Sequence, residues 1–195
     1  MLNIKKLSNL FYVVFAIVFI QGCAAVVAGT AATGILVAQD RRTAGTIVED
    51  NSIQLKAKNS IRDILTENKS SRVSIISYNN NVLLLGQTPT PDIKNKIEES
   101  IRNVAKVKNL HNEIAISGPT SLMTRSSDTW ITTKIKSDMI LNKDINPTRV
   151  KVVTEDGIVY LLGLIKPTEE KIAVDISRHT KGVKKVVKML EHLPT

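Results

Sequence analysis

Two short apolar segments decide the fold, and both of them occur twice. In the first copy RVSI at residues 72–75 is followed by VLLLG at residues 82–86. In the second copy RVKV at residues 149–152 is followed by VYLLG at residues 159–163, with the same spacing between the segments. Internal similarity of this kind predicts two domains of one type in tandem.

Each pair of segments predicts a β-hairpin, because apolar and polar residues alternate with the period of a strand. The residues between the segments are Asn79, Asn80 and Asn81 in the first copy and Asp156 and Gly157 in the second. These residue types accept the positive φ angles of a tight hairpin turn at low cost. The glycines that end the second segments, Gly86 and Gly163, are predicted to be required by the backbone there.

A helical segment precedes each hairpin and another follows it. The second helices begin near Pro91 and Pro167, and proline suits the first turn of a helix. Their predicted inward positions are Ile93, Ile97 and Ile101 in the first copy and Ile172, Val174 and Ile176 in the second. A final apolar alternation closes each copy. The fold class is therefore α+β, with two domains that each run α-β-β-α-β and place two helices on one face of a three-stranded sheet.

The chain before the repeats has the order of a secretory signal. Lys5 and Lys6 precede an apolar run at residues 7–20, and Gly22 and Cys23 follow it. The run is shorter than the roughly 20 residues of a membrane span. IQGC at residues 20–23 resembles the bacterial lipobox, whose cysteine is diacylated and becomes the new N-terminus. We predict a signal peptide at residues 1–22, lipid on Cys23 and a lipidated tether at residues 23–45. An uncleaved anchor from residue 10 to residue 38 is the alternative.

Composition excludes several function classes. The 195 residues carry a net charge of +9, and only 4% are aromatic. A single cysteine excludes an internal disulfide and a cysteine-based zinc site. His111, His179 and His192 have neither metal-ligand spacing nor a paired nucleophile. We predict no enzyme, no metal and no cofactor beyond the covalent lipid. Charge alone suggests nucleic acid, which a secreted chain rarely meets, so that partner is not predicted.

The helix that opens the second copy is predicted to carry a buried stripe. Asp128, or Ser127 before it, is predicted to cap the N-terminus of this helix. Ile131, Ile135 and Met139 then recur every four residues, which is the spacing of a core-facing helix surface.

A second stripe on the same helix lies roughly 100° around from the first. It contains Trp130, Lys134, Ser137 and Leu141. Tryptophan prefers the membrane interface, and a nearby lysine reaches lipid phosphate while its stem stays in apolar surroundings. The candidate lipid-binding residues are Trp130, Lys134 and Leu141, together with the neighbouring Ile131 and Ile135. The alternative is that Trp130 fills a groove between the two domains.

Two basic clusters each have two interpretations. Arg41 and Arg42 end the predicted tether, where they contact anionic headgroups or form a solvated turn. Lysines 181, 184, 185 and 188 surround the last predicted strand. They provide further phosphate contacts, or they protect an exposed strand edge from aggregation.

A family resemblance rests on the order of elements, on Gly86 and Gly163, and on the segment DTWITTK at residues 128–134. In these features the chain resembles the BON domain, a periplasmic module of Gram-negative bacteria. With the lipobox, the chain resembles outer-membrane lipoproteins that carry two such domains. We place the domains at residues 46–117 and 128–195, joined by a linker at residues 118–127. Trp130 matches the lipid-contacting tryptophan of the family.

The resemblance implies a function as well as a fold. It implies a non-enzymatic lipoprotein on the periplasmic face of the outer membrane that binds anionic phospholipid through its second domain. It also implies enrichment at division sites and support of envelope integrity. Ala24 after the cysteine points to the outer membrane, by resemblance to enterobacterial sorting rules. The alternative function is a periplasmic adaptor that binds an envelope protein or a peptidoglycan-remodelling factor through a BON sheet.

Overall fold

A computed structural model describes residues 40–193. The predicted signal peptide, the lipidation of Cys23 and the predicted tether up to residue 39 lie outside the described residues. The first domain contains, in chain order, α1 (Ala44–Ser60), α2 (Arg62–Glu67), β1 (Arg72–Tyr78), β2 (Asn81–Thr88), α3 (Pro91–Arg102) and β3 (Asn109–Ile116). The second contains α4 (Leu122–Leu141), a 3-10 turn (Pro147–Arg149), β4 (Val150–Glu155), β5 (Ile158–Ile165), α5 (Pro167–His179) and β6 (Lys185–His192).

Each domain has one three-stranded sheet, and the two sheets have the same topology. In the first, β2 lies in the centre, antiparallel to β1 and parallel to β3. In the second, β5 lies in the centre, antiparallel to β4 and parallel to β6. The parallel pairing requires a crossover, and α3 and α5 provide it. The predicted α+β class with two tandem domains is confirmed.

The hairpin turns have the predicted chemistry. Asn79 and Asn80 have φ angles of 52° and 65°, and Asp156 and Gly157 have φ angles of 48° and 74°. Two consecutive positive φ angles match the twist of antiparallel strands in a two-residue hairpin.

One face of each sheet packs against the helices of its own domain. In the first domain Ile53 of α1 and Leu84 of β2 belong to one buried cluster that is wholly apolar. The predicted inward positions of α3 are confirmed, because Ile93, Ile97 and Ile101 are all buried in the same cluster. An equivalent apolar cluster lies beneath the helices of the second domain.

The prediction for α5 is only partly right. Ile172, Val174 and Ile176 pack against the core of the second domain but are only partly buried. The fully buried positions of α5 include Ala173 and Ser177. Small side chains at these positions let the helix lie close to the sheet, so the larger residues beside them flank the contact.

The other faces of the two sheets pack against each other. The buried cluster between them contains Ile76, Tyr78, Leu83, Leu85, Tyr160 and Leu162. The two domains therefore form four layers, in the order helices, sheet, sheet, helices. Polar contacts border this interface: Glu191 accepts hydrogen bonds from Asn79 and Asn81, and Glu155 accepts them from Arg72 and Gln87.

The predicted cap of the first helix in the second domain is wrong. Helix α4 begins at Leu122, and its N-cap is Ser121, whose hydroxyl accepts a hydrogen bond from the backbone N–H of Thr124. Asp128 lies within α4, not at its N-terminus, and its side chain is buried. Its carboxylate accepts hydrogen bonds of 2.8 Å from the backbone N–H groups of Asp156 and Gly157 in the hairpin turn.

Candidate functional site

Helix α4 carries most of the exposed apolar side chains in the described part of the chain. Eight large apolar residues are exposed among residues 40–193, and five of them lie on this helix. The five are Leu122, Met123, Trp130, Ile140 and Leu141. An exposed apolar surface concentrated on one element is typical of a site that contacts a partner or a membrane.

Three of these side chains lie in a stripe on one face of α4, with polar residues between them. At about 100° per residue, Met123, Trp130 and Leu141 lie within roughly 20° of one another around the helix axis. They are 83%, 51% and 79% exposed. At about 1.5 Å per residue the stripe extends roughly 27 Å, which is most of the length of the helix. We call these three residues the apolar stripe.

Met123 was not predicted to belong to the site. The signal was present in the sequence, since Met123 lies about two helical turns before Trp130. It was missed because the helix was expected to begin at Asp128, which placed Met123 in a linker.

Lys134 lies beside the apolar stripe, as predicted. Its ammonium forms an ion pair with Asp138, about one helical turn further on, at 2.5 Å. The lysine side chain remains 50% exposed. The pair holds the cation next to Trp130 while leaving it accessible from solution.

Two of the candidate lipid-binding residues are core residues, and their assignment is wrong. Ile131 is 1% exposed and Ile135 is 0% exposed, and both belong to the buried cluster beneath α4. They face the sheet, so a bilayer would reach them only if the domain unfolded. Their effect on the site is indirect, because they hold α4 in place. The assignments of Trp130, Lys134 and Leu141 stay predictions.

Trp130 does not fill a groove between the domains. The interface is formed by the sheets, whereas α4 lies on the opposite face of the second sheet. Trp130 lines an open groove of about 680 Å³ between α4 and α5. Ile172 and Ile176 provide apolar lining, and Lys181 lies at the same groove.

The lysine cluster around β6 is divided between different contacts. Lys184 pairs with Asp156 at 2.9 Å, and Lys188 pairs with Glu170 at 2.8 Å. The hydrogen bond from Lys188, and then the contact with His192, hold the pKa of Glu170 below its ordinary value. These contacts occupy two of the four lysines, and both interpretations of the cluster stay predictions.

The described residues of the first domain include no large apolar side chain at the positions equivalent to the apolar stripe, although Val48 and Leu55 are exposed elsewhere on α1. Asp50 of α1 contacts the first hairpin turn as Asp128 contacts the second. Aligning the two helices on these aspartates places Gly45, Ser52 and Asp63 at the positions of Met123, Trp130 and Leu141. The stripe is therefore a feature of the second domain.

The described part of the chain offers neither a membrane span nor a metal site. No helix within residues 40–193 has both the length and the apolar character needed to cross a bilayer. The same residues contain no group of three or more His, Cys, Asp or Glu side chains arranged to hold a metal ion.

Comparison with known proteins gives consistent matches. The family model of the BON domain matches residues 49–118 and 127–194. The chain is 35% identical over 192 residues to the "Outer membrane lipoprotein DolP" of Haemophilus influenzae, covering 98% of this chain and 100% of that protein. It is 32% identical over 154 residues to the "21 kDa hemolysin" of Actinobacillus pleuropneumoniae, covering 79% of each.

Solved structures give a weaker likeness. A structure of CdsD, described as a structural protein of the type III secretion system of Chlamydia trachomatis, is 11% identical with a TM-score of 0.32. The match covers 70% of this chain and 92% of that one. It is too distant to support a functional argument.

Proposed function

The chain belongs to the BON-domain family, and on that basis we propose that it is an outer-membrane lipoprotein that binds anionic phospholipid through its second domain. The observation that carries the proposal is the apolar stripe of α4, exposed beside Lys134 and absent from the described residues of the first domain. The similarity to a protein named as an outer membrane lipoprotein, over nearly the whole chain, supports the proposed location.

The apolar stripe has the chemistry of a membrane-interface contact. Burying a Leu or Met side chain contributes roughly 1.5–3 kcal/mol when the burial is complete. Trp130 adds an indole that favours the headgroup region, where its ring is buried and its N–H stays hydrated. A lysine near an anionic surface contributes about 1 kcal/mol. Lys181, and Lys134 when it exchanges Asp138 for a lipid phosphate, therefore favour negatively charged lipid over neutral lipid.

These contacts alone give weak binding, and the proposed lipid anchor makes it effective. Each acyl CH₂ group buried in a bilayer contributes about 0.8 kcal/mol, so a multiply acylated Cys23 holds the chain at the membrane stably. Tethering raises the local concentration of lipid around α4. Mass spectrometry of the purified protein tests this step, because an unprocessed N-terminus without lipid would contradict it.

The binding site is tested with the polypeptide from Ala24 onward, produced without acyl chains. We expect it to sediment with vesicles of phosphatidylglycerol and phosphatidylcholine, but not with vesicles of phosphatidylcholine alone. Trp130 is the only tryptophan in the chain, so a blue shift of its emission reports insertion directly. Trp130→Glu should abolish sedimentation without altering the melting temperature.

The matched control is Leu55→Glu on α1, where the parent side chain is also exposed. This variant should bind vesicles as the parent does. Parent protein that ignores anionic vesicles would contradict the lipid-binding proposal. A Trp130→Glu variant that binds as well as the parent would contradict the assignment to α4.

Division-site enrichment and support of envelope integrity are parts of the same proposal, and the family resemblance is their support. The alternative is an adaptor that binds an envelope protein through a BON sheet. A pure adaptor should ignore both kinds of vesicle. The sheet faces directed away from the helices already pack against each other. An adaptor would therefore bind its partner through the strand edges or the helical faces.

A further inference from the structure

The residues just before α1 contact both domains. Arg41 precedes the first domain in the chain, yet its guanidinium bonds to the second. It donates to the two carboxylate oxygens of Glu169 at 2.6 and 3.1 Å. It also donates to the backbone carbonyl of Leu164 at 3.2 Å. A two-point arginine–carboxylate contact fixes orientation as well as distance.

The next residue makes the corresponding contacts with the first domain. Arg42 donates to the carboxylate of Asp50 at 2.8 Å. Its guanidinium also stacks on the ring of Tyr78, 3.9 Å from the ring centre. Tyr78 is one of the residues buried between the two sheets. Adjacent arginines thus bond to opposite sides of the domain interface.

These ion pairs are withdrawn from water. The side chains of Arg41 and Glu169 are 16% and 8% exposed, and those of Arg42 and Asp50 are 14% and 2% exposed. Ion pairs on an open surface contribute little to structure, because water and salt screen them. Burial removes much of that screening, so these two pairs are suited to hold a geometry.

We propose that Arg41 and Arg42 form a staple that fixes the orientation of the two domains relative to each other. The staple acts in addition to the apolar contact between the sheets. Through Arg41, the staple also attaches the segment just before α1 to the second domain, which contains α4. Neither arginine is then available to lipid headgroups, and neither belongs to a solvated turn, so both sequence-based interpretations of this pair are replaced.

The test measures the distance between the two helical layers. Spin labels are placed at Glu99→Cys on α3 and Lys171→Cys on α5, both exposed positions. Cys23, the only cysteine, is changed to alanine in the full chain, which is studied in detergent. Double electron–electron resonance then reports the distribution of domain orientations. The parent should give one narrow distance.

We expect Arg41→Ala combined with Arg42→Ala to add a second, longer-distance population. Losing two ion pairs with buried carboxylates shifts a docking equilibrium on the order of a hundredfold. Each single variant should show a smaller change of the same kind. The control is Arg62→Ala, because Arg62 is exposed and pairs with the adjacent, equally exposed Asp63.

Folding of the variants is checked by circular dichroism. Both carboxylates keep other partners, since Glu169 still bonds to Arg149 and Asp50 to Ser77. If the double alanine variant fails to fold, the double lysine variant keeps the charges but not the two-point geometry, and it should broaden the distribution. A folded variant with the distance distribution of the parent would overturn the proposal. The result does not depend on lipid binding.

Discussion

One buried aspartate in each domain holds a hairpin turn. Asp50 accepts hydrogen bonds from the backbone N–H groups of Asn79 and Asn80 at 2.8 and 2.9 Å. Asp128 does the same for the second turn. Both carboxylates are nearly inaccessible to water. The turn N–H groups point towards the helix, where only an acceptor satisfies them.

Asp128→Asn should therefore destabilise the protein by about 1–3 kcal/mol, because one carboxylate oxygen is replaced by a donor that faces a donor. Urea unfolding followed by Trp130 fluorescence measures the loss. The control is Asp63→Asn, where the parent side chain is exposed. Equal stability of both variants would contradict the role of Asp128.

Gly86 and Gly163 lie within β2 and β5, two residues before each strand ends, and they differ in how strongly the backbone requires them. A Cβ atom on Gly86 would lie 1.9 Å from the carbonyl oxygen of Arg72, and the φ of Gly86 is +123°. A Cβ on Gly163 would lie 2.7 Å from the carbonyl oxygen of Arg149. At Gly86, a residue with a side chain would be forced into a positive φ, which costs on the order of 1–3 kcal/mol in addition to the clash.

Gly86→Val should lower the melting temperature strongly, and Gly163→Val should lower it less. Gly118→Val is the control, because no atom lies within 4 Å of a Cβ at that position. Thermal unfolding followed by circular dichroism gives the melting temperatures of the three variants. A melting temperature unchanged by Gly86→Val would refute the requirement.

The proposed function depends on the contrast between the helices α4 and α1. These helices occupy equivalent places in their domains, and both bury one apolar face against a sheet. Helix α4 also exposes five large apolar side chains, whereas α1 exposes two, Val48 and Leu55. The shared face maintains the fold, whereas the exposed face is free to differ between the copies.

Met123→Ser should weaken binding to anionic vesicles while leaving stability unchanged, because the side chain is exposed. Losing part of one apolar contact predicts a decrease on the order of fivefold to tenfold in affinity. Leu55→Ser on α1 is the matched control and should bind normally. If the two variants bind equally well, Met123 is not part of the site.

The domain fold was predictable from the sequence because each copy repeats the same signals. The turn residues and the alternating strands identify the hairpin, and Ile93, Ile97 and Ile101 identify the inner face of α3.

The contact between the sheets was not predicted, although the run at residues 82–85 is apolar on both faces of β2. Such a run indicates a strand buried on both sides. The contacts of Arg41 were not predictable, because Glu169 lies far away in the sequence and no local pattern links the two residues.

The interface that joins the two domains contains an unfavourable cation. Lys151 lies on the face of β4 that is directed towards the first domain, next to Val153 of the cluster between the sheets. Burial lowers its pKa most, and the nearby Arg42 lowers it further. A lysine whose pKa is lowered by folding destabilises the folded state when charged. Stability should therefore increase as pH rises through the folded pKa towards the ordinary value of 10.5.

Lys151→Met should raise the melting temperature at neutral pH, because it keeps most of the length of the side chain and removes the charge. The gain should shrink as pH rises towards the ordinary lysine pKa of 10.5. Lys171→Met, at an exposed position on α5, is the control and should leave the melting temperature unchanged. A lower melting temperature for Lys151→Met would show that the ammonium stabilises the interface.

The staple predicts how the whole molecule responds to acid. Burial alone would raise the pKa of Glu169, but hydrogen bonds from Arg41, the backbone N–H of Lys166 and Arg149 outweigh it and lower the pKa to about 2. A carboxyl whose pKa is lowered by folding stabilises the protein above its unfolded value of 4.5. That stabilisation is lost as pH falls from 4.5 towards 2, because the unfolded chain takes up the proton first.

Glu169→Gln should therefore be less stable than the parent at neutral pH, and the difference should shrink steadily below pH 4.5. Urea unfolding at a series of pH values measures it. Glu99→Gln, on an exposed face of α3, should follow the parent at every pH. Arg41→Ala should flatten the same part of the profile, since it removes one of the bonds that lower the pKa of Glu169. A difference between parent and Glu169→Gln that stays constant from neutral pH down into the acid range would mean that the charge of the Glu169 carboxylate contributes nothing to the stability of the protein.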